Sequence, residues 1–273
     1  MGHYFYDENH IRYTLAGSGF GHPFNWLFIP GGPGGDSSYL LSIIELLDLP
    51  GNTWLIDLPG NGSNTVQDNY DYEEWFNLFI PMISKFENPI IVGHSFGGMF
   101  PLLFPQLEKL LQGFVILNAA PKAWLEEAAR CAKLYNLPDL SLEMKTFYEN
   151  PNEENFKIAL EACIPYYFPA ENLERGKKFL EKVSIQFRPS AWWSKKAGTQ
   201  FNAVWIPQNV PTLILGGSHD SIAPFSIFEK DVRFSRNNIV MKKINQSGHF
   251  SWVDQPTLFK TTVMDFLKQN VIT

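Results

Sequence analysis

Six short apolar runs, separated by much longer segments, organise this sequence. They are four to six residues long and occupy residues 24–29, 53–58, 89–92, 114–117, 212–215 and 239–244. Runs that are apolar almost throughout are typical of parallel strands covered on both faces. Residues 39–47 and 72–86 carry apolar residues at helical spacing, and residues 4–15 have the pattern of an edge hairpin. The sequence therefore predicts an α/β fold: a mostly parallel, twisted sheet with helices on both faces.

Residues 121–205 interrupt this alternation. The segment contains no clear strand, and it holds 23 of the 50 charged residues of the chain. High charge combined with apolar residues at helical spacing is typical of amphipathic helices with one solvated face. We therefore expect an inserted helical cap at 121–205 on a core formed by residues 1–120 and 206–273. A second independent domain is the alternative.

Composition narrows the class of protein. With 45% hydrophobic and 15% aromatic residues, the chain is too apolar to remain disordered. The net charge of −6 does not favour nucleic acid as a partner, because binding to phosphates needs a positive surface. Cys131 and Cys163 have no metal-ligand or disulfide spacing, which indicates two small buried residues in a reduced environment.

The sequence also bears on where the protein is located and on what it binds. The first ten residues are too polar for a signal peptide, and no apolar run reaches the length of a membrane span. We expect a cytoplasmic protein that acts on a small molecule or a short peptide, without a membrane, a metal or an organic cofactor. The sequence does not indicate an oligomeric state.

The sequence Gly93-His94-Ser95-Phe96-Gly97 directly follows the third apolar run. A serine on a tight turn from a strand into a helix has a strained backbone, and only small flanking residues avoid steric clashes there. Such a turn exposes the hydroxyl at the carboxyl edge of the sheet. We therefore predict Ser95 as a nucleophile, in preference to a glycine-rich turn without function.

A serine hydroxyl needs a base, and the base needs an acid to orient it. Among the six histidines, His249 follows the last apolar run and could return to the serine through a short loop. Asp220 follows the run at 212–215 and reaches the same edge, whereas residues 118–120 after the fourth run carry no carboxylate. The predicted catalytic residues are therefore Ser95, Asp220 and His249.

The chain order serine, aspartate, histidine is that of α/β-hydrolases. The chain resembles the α/β-hydrolase superfamily over essentially its whole length. The loop at residues 30–36 is similar to the H-G-G-P-G-G loop of proline iminopeptidases, with Pro30 in place of the histidine. Residues 57–63 resemble the D-x-P-G-x-G turn of esterases and lyases. This resemblance implies an α/β-hydrolase fold with an inserted cap.

Acyl transfer places negative charge on a carbonyl oxygen, and backbone N–H groups directed at that oxygen stabilise it. One donor is expected to be Phe96, directly after the nucleophile. The other is expected to be Gly32 in the loop after the first run, with Gly31 as the alternative. The same glycines do not form a phosphate-binding loop, because no G-K-[ST] sequence follows them.

The cap is expected to cover the serine and to select the substrate. Its aromatic residues Trp124, Tyr167 and Trp192 are predicted to bind substrate. In proline iminopeptidases, cap glutamates hold the free amino group of the substrate, and the resemblance makes residues Glu153, Glu154 and Glu161 the possible equivalents.

Several functions remain open at this point. The main interpretation is a serine hydrolase of small esters or amides that forms an acyl-enzyme. The alternatives are a proline iminopeptidase-like aminopeptidase and a lyase or C–C bond-cleaving enzyme with the same three residues. A binding protein without activity is disfavoured, because each of the three positions is filled.

Overall fold

The structure is a computed structural model that describes residues 4–19, 23–197 and 200–272. Its described residues form eight strands in one sheet. The strands are β1 (Tyr4–Tyr6), β2 (Arg12–Ser18), β3 (Asn25–Ile29), β4 (Asn52–Asp57), β5 (Pro89–His94), β6 (Gly113–Leu117), β7 (Thr212–Gly217) and β8 (Ile239–Ile244). Their order in the sheet is β1-β2-β4-β3-β5-β6-β7-β8. All neighbours from β4 to β8 are parallel, and β1 and β2 form an antiparallel edge hairpin.

Twelve α-helices accompany the strands in the described part of the chain. They are α1 (Leu41–Leu46), α2 (Glu74–Ile83), α3 (Phe96–Met99), α4 (Leu125–Leu134), α5 (Ser141–Glu149), α6 (Glu153–Ala162), α7 (Ile164–Tyr167), α8 (Leu173–Leu180), α9 (Phe187–Ala197), α10 (Ser226–Glu229), α11 (Ser251–Asp254) and α12 (Pro256–Asn270). The predicted α/β architecture with a mostly parallel sheet is confirmed.

The two faces of the sheet explain why its central strands are mostly apolar. On β3, Leu27 and Ile29 belong to one buried cluster with α2 and α3. Trp26 and Phe28 point to the opposite cluster, which contains residues of α1 and α12. Because alternate side chains of this strand are buried on opposite faces, all four positions from Trp26 to Ile29 are apolar.

Helices α4 to α9 lie between β6 and β7, within the segment predicted to be the cap. The predicted boundaries, residues 121–205 for the cap and 1–120 with 206–273 for the core, stay a prediction, and residues 198 and 199 lie outside the described part. Among the described residues, no helix is both long and apolar enough to cross a membrane.

Candidate active site

Ser95 lies between β5 and α3, on the sharp turn that its flanking glycines allow. Its φ of +53° lies in a region that side-chain-bearing residues rarely occupy. A Cβ atom at Gly93 would clash with the Gly97 carbonyl, and one at Gly97 would clash with the Ile29 carbonyl. The Ser95 carbonyl accepts hydrogen bonds from the Gly98 and Met99 N–H groups at 2.9 and 3.0 Å. The tight packing of backbone around the turn explains why its neighbours are glycines.

Asp220 and His249 come together from the ends of β7 and β8. The His249 Nδ1 atom donates to Asp220 Oδ2 at 2.9 Å, and both side chains are buried. The other Asp220 oxygen accepts from the Ile222 and Ala223 N–H groups at 3.0 and 2.8 Å, so the carboxylate is fixed by its own loop. A proton on Nδ1 leaves Nε2 as the atom of the ring that can accept a proton.

The glycine loop after β3 packs directly against Ser95. A Cβ atom at Gly31 would lie 2.9 Å from the Ser95 Cβ atom. The Gly31 N–H donates to the Tyr39 hydroxyl at 2.7 Å, which engages the alternative oxyanion donor. The N–H groups of Gly32 and Phe96 donate to no acceptor within the described residues. Gly32 lines the cavity above Ser95, whereas Phe96 is not among its lining residues.

A cavity of about 860 Å³ opens above Ser95. Ser95, His249, Gly32 and Tyr167 all line it, so four of the predicted site residues face one space. The cavity is bounded mainly by apolar side chains of the helical segment and of the sheet edge. These are Phe156, Leu160, Ile164, Leu180, Val183, Ile185, Ile222 and Phe250.

Trp124 and Trp192 are not among the residues that line this cavity. Trp124 packs against a buried cluster that contains Ala120, Ala223 and Ile227. Trp192 lies where α9 docks on α2, and its Nε1 atom donates to Glu73 Oε1 at 3.0 Å. Both tryptophans join helices to the sheet domain, so the geometry does not support the prediction that they bind substrate.

Five Lys and Glu residues line the cavity, and all of them are exposed. They are Glu153, Lys157, Glu161, Lys177 and Glu181. The Lys157 Nζ atom lies 4.0 Å from Glu161 Oε1, and the Glu161 side chain is 64% exposed. Glu154 does not line the cavity.

Tyr39 and His94 belong to the site, although sequence reasoning did not identify them. Both are buried and both line the cavity. The Tyr39 hydroxyl lies 2.8 Å from His94 Nδ1, and His94 Nε2 lies 2.9 Å from the His249 carbonyl oxygen. Burial, together with the neighbouring His249, holds the pKa of His94 well below its usual value, so the ring is neutral. The position of His94 next to Ser95 was the one available signal.

The described residues include no group of three or more His, Cys, Asp or Glu side chains that could hold a metal ion. Cys131 and Cys163 are free and buried, as predicted. Burial raises the pKa of the Cys163 thiol to about 12, which keeps it protonated and unreactive at neutral pH. Neither cysteine lines the cavity above Ser95.

Two curated proteins are similar to this chain over nearly its whole length. The AB hydrolase superfamily protein YisY of Bacillus subtilis is 24% identical over 97% of this chain and 99% of its own. The pimeloyl-[acyl-carrier protein] methyl ester esterase of Wigglesworthia glossinidia brevipalpis is 23% identical over 94% of this chain and 97% of its own.

Solved structures share the fold. The crystal structure of a proline iminopeptidase-related protein from Thermus thermophilus superposes with a TM-score of 0.72, at 18% identity, over 99% of both chains. The family model described as "Alpha/beta hydrolase family" matches residues 26–260. This chain belongs to the alpha/beta hydrolase family.

Proposed function

We propose that this protein is a serine esterase that hydrolyses a carboxylic ester with an uncharged, apolar acyl group. The observation that carries the proposal is the 2.9 Å bond between His249 Nδ1 and Asp220 Oδ2, with His249 and Ser95 on one cavity. An imidazole oriented in this way is the base that a serine nucleophile requires.

The proposed reaction has two halves. His249 Nε2 takes the proton of the Ser95 hydroxyl while Ser95 Oγ attacks the ester carbonyl carbon. The Gly32 and Phe96 N–H groups stabilise the oxyanion, and His249 passes the proton to the departing alcohol. In the second half, His249 takes a proton from water while the water oxygen attacks the acyl carbon. His249 then returns the proton to Ser95 Oγ as the bond from Oγ to the acyl carbon breaks, and the carboxylic acid leaves.

The cavity wall supports an ester with an apolar acyl part. An uncharged acyl chain is stabilised by burial against residues such as Leu160 and Ile164. A buried ammonium group would need a buried carboxylate as its partner, because an unpaired buried charge costs several kcal/mol. The carboxylates of the lining, among them Glu153 and Glu161, are instead exposed.

A proline iminopeptidase-like aminopeptidase is the second candidate. Glu153 and Glu161 line the cavity, which favours an amine-binding role for them. Glu154 lies on the same helix and does not line the cavity, so Glu154→Gln is a matched control for Glu153→Gln and Glu161→Gln. An aminopeptidase would lose turnover of prolyl substrates in the two lining variants and keep it in the control.

The deciding experiment compares p-nitrophenyl butyrate with proline p-nitroanilide, using Ser95→Ala as the blank. We expect cleavage of the ester, no cleavage of the anilide, an acyl-enzyme detectable by mass and a loss of at least about 10³-fold in Ser95→Ala. Cleavage of the anilide that depends on Ser95 would instead favour the aminopeptidase. If neither substrate is cut while Ser95 still reacts with an organophosphonate, the lyase becomes the better hypothesis.

A further inference from the structure

A chain of three hydrogen bonds joins the glycine loop to the loop that carries His249. The Gly31 N–H donates to the Tyr39 oxygen at 2.7 Å. The Tyr39 hydroxyl meets His94 Nδ1 at 2.8 Å, and His94 Nε2 meets the His249 carbonyl oxygen at 2.9 Å. All four residues are buried.

The direction of every proton in this chain is determined. The His249 carbonyl can only accept, so His94 Nε2 carries a proton. Because the His94 ring is neutral, Nδ1 carries none and accepts the Tyr39 O–H. The Tyr39 oxygen then accepts the Gly31 N–H. Each donor has one acceptor, so the arrangement is complete without a charge.

The Tyr39 hydroxyl has little freedom to move. Its ring stacks on Trp252 at a centroid distance of 6.3 Å and meets Phe179 and Phe250 edge to face, each at 6.3 Å. Close packing of this kind restricts the ring to one orientation. The oxygen is therefore a fixed point to which the Gly31 N–H is attached.

The position of Gly31 explains why this attachment matters. Gly31 packs against the Cβ atom of Ser95 and immediately precedes Gly32, whose N–H donates to no acceptor among the described residues. The loop begins with Pro30 where the similar iminopeptidase loop has a histidine, so Pro30 supplies no side-chain donor to brace the loop. Tyr39 supplies the side-chain bond to Gly31, the residue of this loop that packs against Ser95.

We propose that Tyr39 is a positioning residue that, through His94, holds the glycine loop and the His249 loop in register with Ser95. The inference rests on the proposed function, since it assigns Tyr39 a part in stabilising the oxyanion. Donors fixed before the reaction stabilise the transition state more than the bound substrate. Removal of the hydroxyl should therefore lower kcat and leave KM nearly unchanged.

The test is Tyr39→Phe, which keeps the ring and removes only the hydroxyl. With p-nitrophenyl butyrate we expect kcat to fall about 10- to 100-fold, with KM within about twofold of the wild-type value. Tyr13→Phe is the matched control. Tyr13 is also buried, its hydroxyl donates to Asp7 Oδ2 at 2.8 Å, and it does not line the cavity. This control should retain wild-type kcat.

A second measurement does not depend on the substrate class. An organophosphonate places its phosphoryl oxygen at the predicted oxyanion position, so its rate of reaction with Ser95, followed by mass, should fall by a similar factor in Tyr39→Phe. An unchanged rate of this reaction in a folded variant would overturn the inference. An equal fall of the rate in Tyr13→Phe would also overturn it. So would a change in Tyr39→Phe that raises KM and leaves kcat unchanged.

The two hypotheses can fail separately. If wild-type protein reacts with the phosphonate but cleaves no ester, the proposed substrate class is wrong, and the rate ratio of the phosphonate reaction still decides the role of Tyr39. If Tyr39→Phe does not fold, as judged by circular dichroism, His94→Asn replaces it. The Asn amide retains a group facing Tyr39 and loses the donor to the His249 carbonyl, and a phosphonate rate at the wild-type level would again overturn the inference.

Discussion

The Asn118 amide connects the ends of three strands at the candidate site. Its Nδ2 atom donates to Asp220 Oδ2 at 3.1 Å and to the Gly248 carbonyl at 2.9 Å. Its Oδ1 atom accepts from the Ser251 hydroxyl at 2.9 Å. Asp220 Oδ2 is also the oxygen that binds His249, so Asn118 helps to fix the carboxylate that orients the imidazole.

Asn118→Ala should lower kcat about tenfold, because the oxygen of Asp220 that binds His249 loses its second donor. Asn118 has φ of +48°, so the substitution also strains the backbone. Asn136→Ala is the control for that strain, since Asn136 has φ of +51° and is exposed outside the cavity lining. Ester turnover measured well below both unfolding temperatures checks the prediction, and equal activity of the two variants would contradict it.

Helix α11 is bonded to the His249 loop through Asp254. Asp254 at its end accepts the Gly248 N–H through Oδ2 at 2.8 Å, whereas its Oδ1 atom is buried without a partner in the described residues. Burial raises the pKa of Asp254 to about 6, although the Gly248 and Asn172 hydrogen bonds oppose the shift. The folded protein therefore holds a proton on Asp254 to a higher pH than the unfolded chain does.

The raised pKa of Asp254 makes the free energy of unfolding depend on pH. Between the usual pKa of 3.8 and about 6, the folded state binds more protons at Asp254 than the unfolded state. The contribution of this group to the free energy of unfolding thus falls as pH rises through that window. Asp254→Asn cannot ionise, and its Oδ1 atom can still accept the Gly248 N–H.

We therefore expect Asp254→Asn to gain stability at pH 7 relative to pH 4.5, when compared with the wild-type protein over the same interval. Thermal unfolding at the two pH values measures this difference. Asp265→Asn serves as the control, because Asp265 is exposed on the neighbouring helix α12. An identical pH dependence of Tm in wild type and Asp254→Asn would show that the Asp254 carboxylate is already ionised near pH 4.

The helical segment between β6 and β7 is attached to both loops of the candidate site. Gly35 and Ile185 form an antiparallel bridge, with the Gln186 N–H donating to the Gly34 carbonyl at 2.9 Å. The His249 N–H donates to the Tyr167 carbonyl at 2.7 Å. The segment between β6 and β7 therefore takes part in holding the loops as well as in enclosing the cavity.

Contacts of this kind, between residues far apart in the chain, could not be predicted from the sequence. The apolar runs predicted the sheet because burial on both faces leaves a local signal at every position of a strand. The packing of Trp192 depends on where α9 docks, and the bond from Tyr39 to His94 joins residues 55 positions apart. Neither contact leaves a pattern in the residues that are adjacent in the sequence. The sequence already favoured Gly32 over Gly31 as an oxyanion donor, but the Tyr39 hydroxyl that engages the Gly31 N–H reaches the loop only in the folded chain.

If the bridge helps to position the glycine loop, Gln186→Pro should lower kcat about tenfold, because proline has no N–H to donate to the Gly34 carbonyl. Gln186 directly precedes α9, where proline is tolerated, so the helix should persist. Gln186→Ala is the matched control. It loses only the side-chain bond from Nε2 to the Gly62 carbonyl and keeps the backbone donor.

The two Gln186 variants are compared by ester turnover and by the rate of phosphonate reaction with Ser95, with circular dichroism to verify the fold. If both rates fall in Gln186→Pro and stay near the wild-type values in Gln186→Ala, the backbone bond to Gly34 is the cause. Equal rates in both variants would mean that the glycine loop keeps its geometry without the helical segment. In that case the bonds that the Gly31 N–H donates to the Tyr39 hydroxyl and the Gly34 N–H donates to Asn61 Oδ1 are sufficient to hold it.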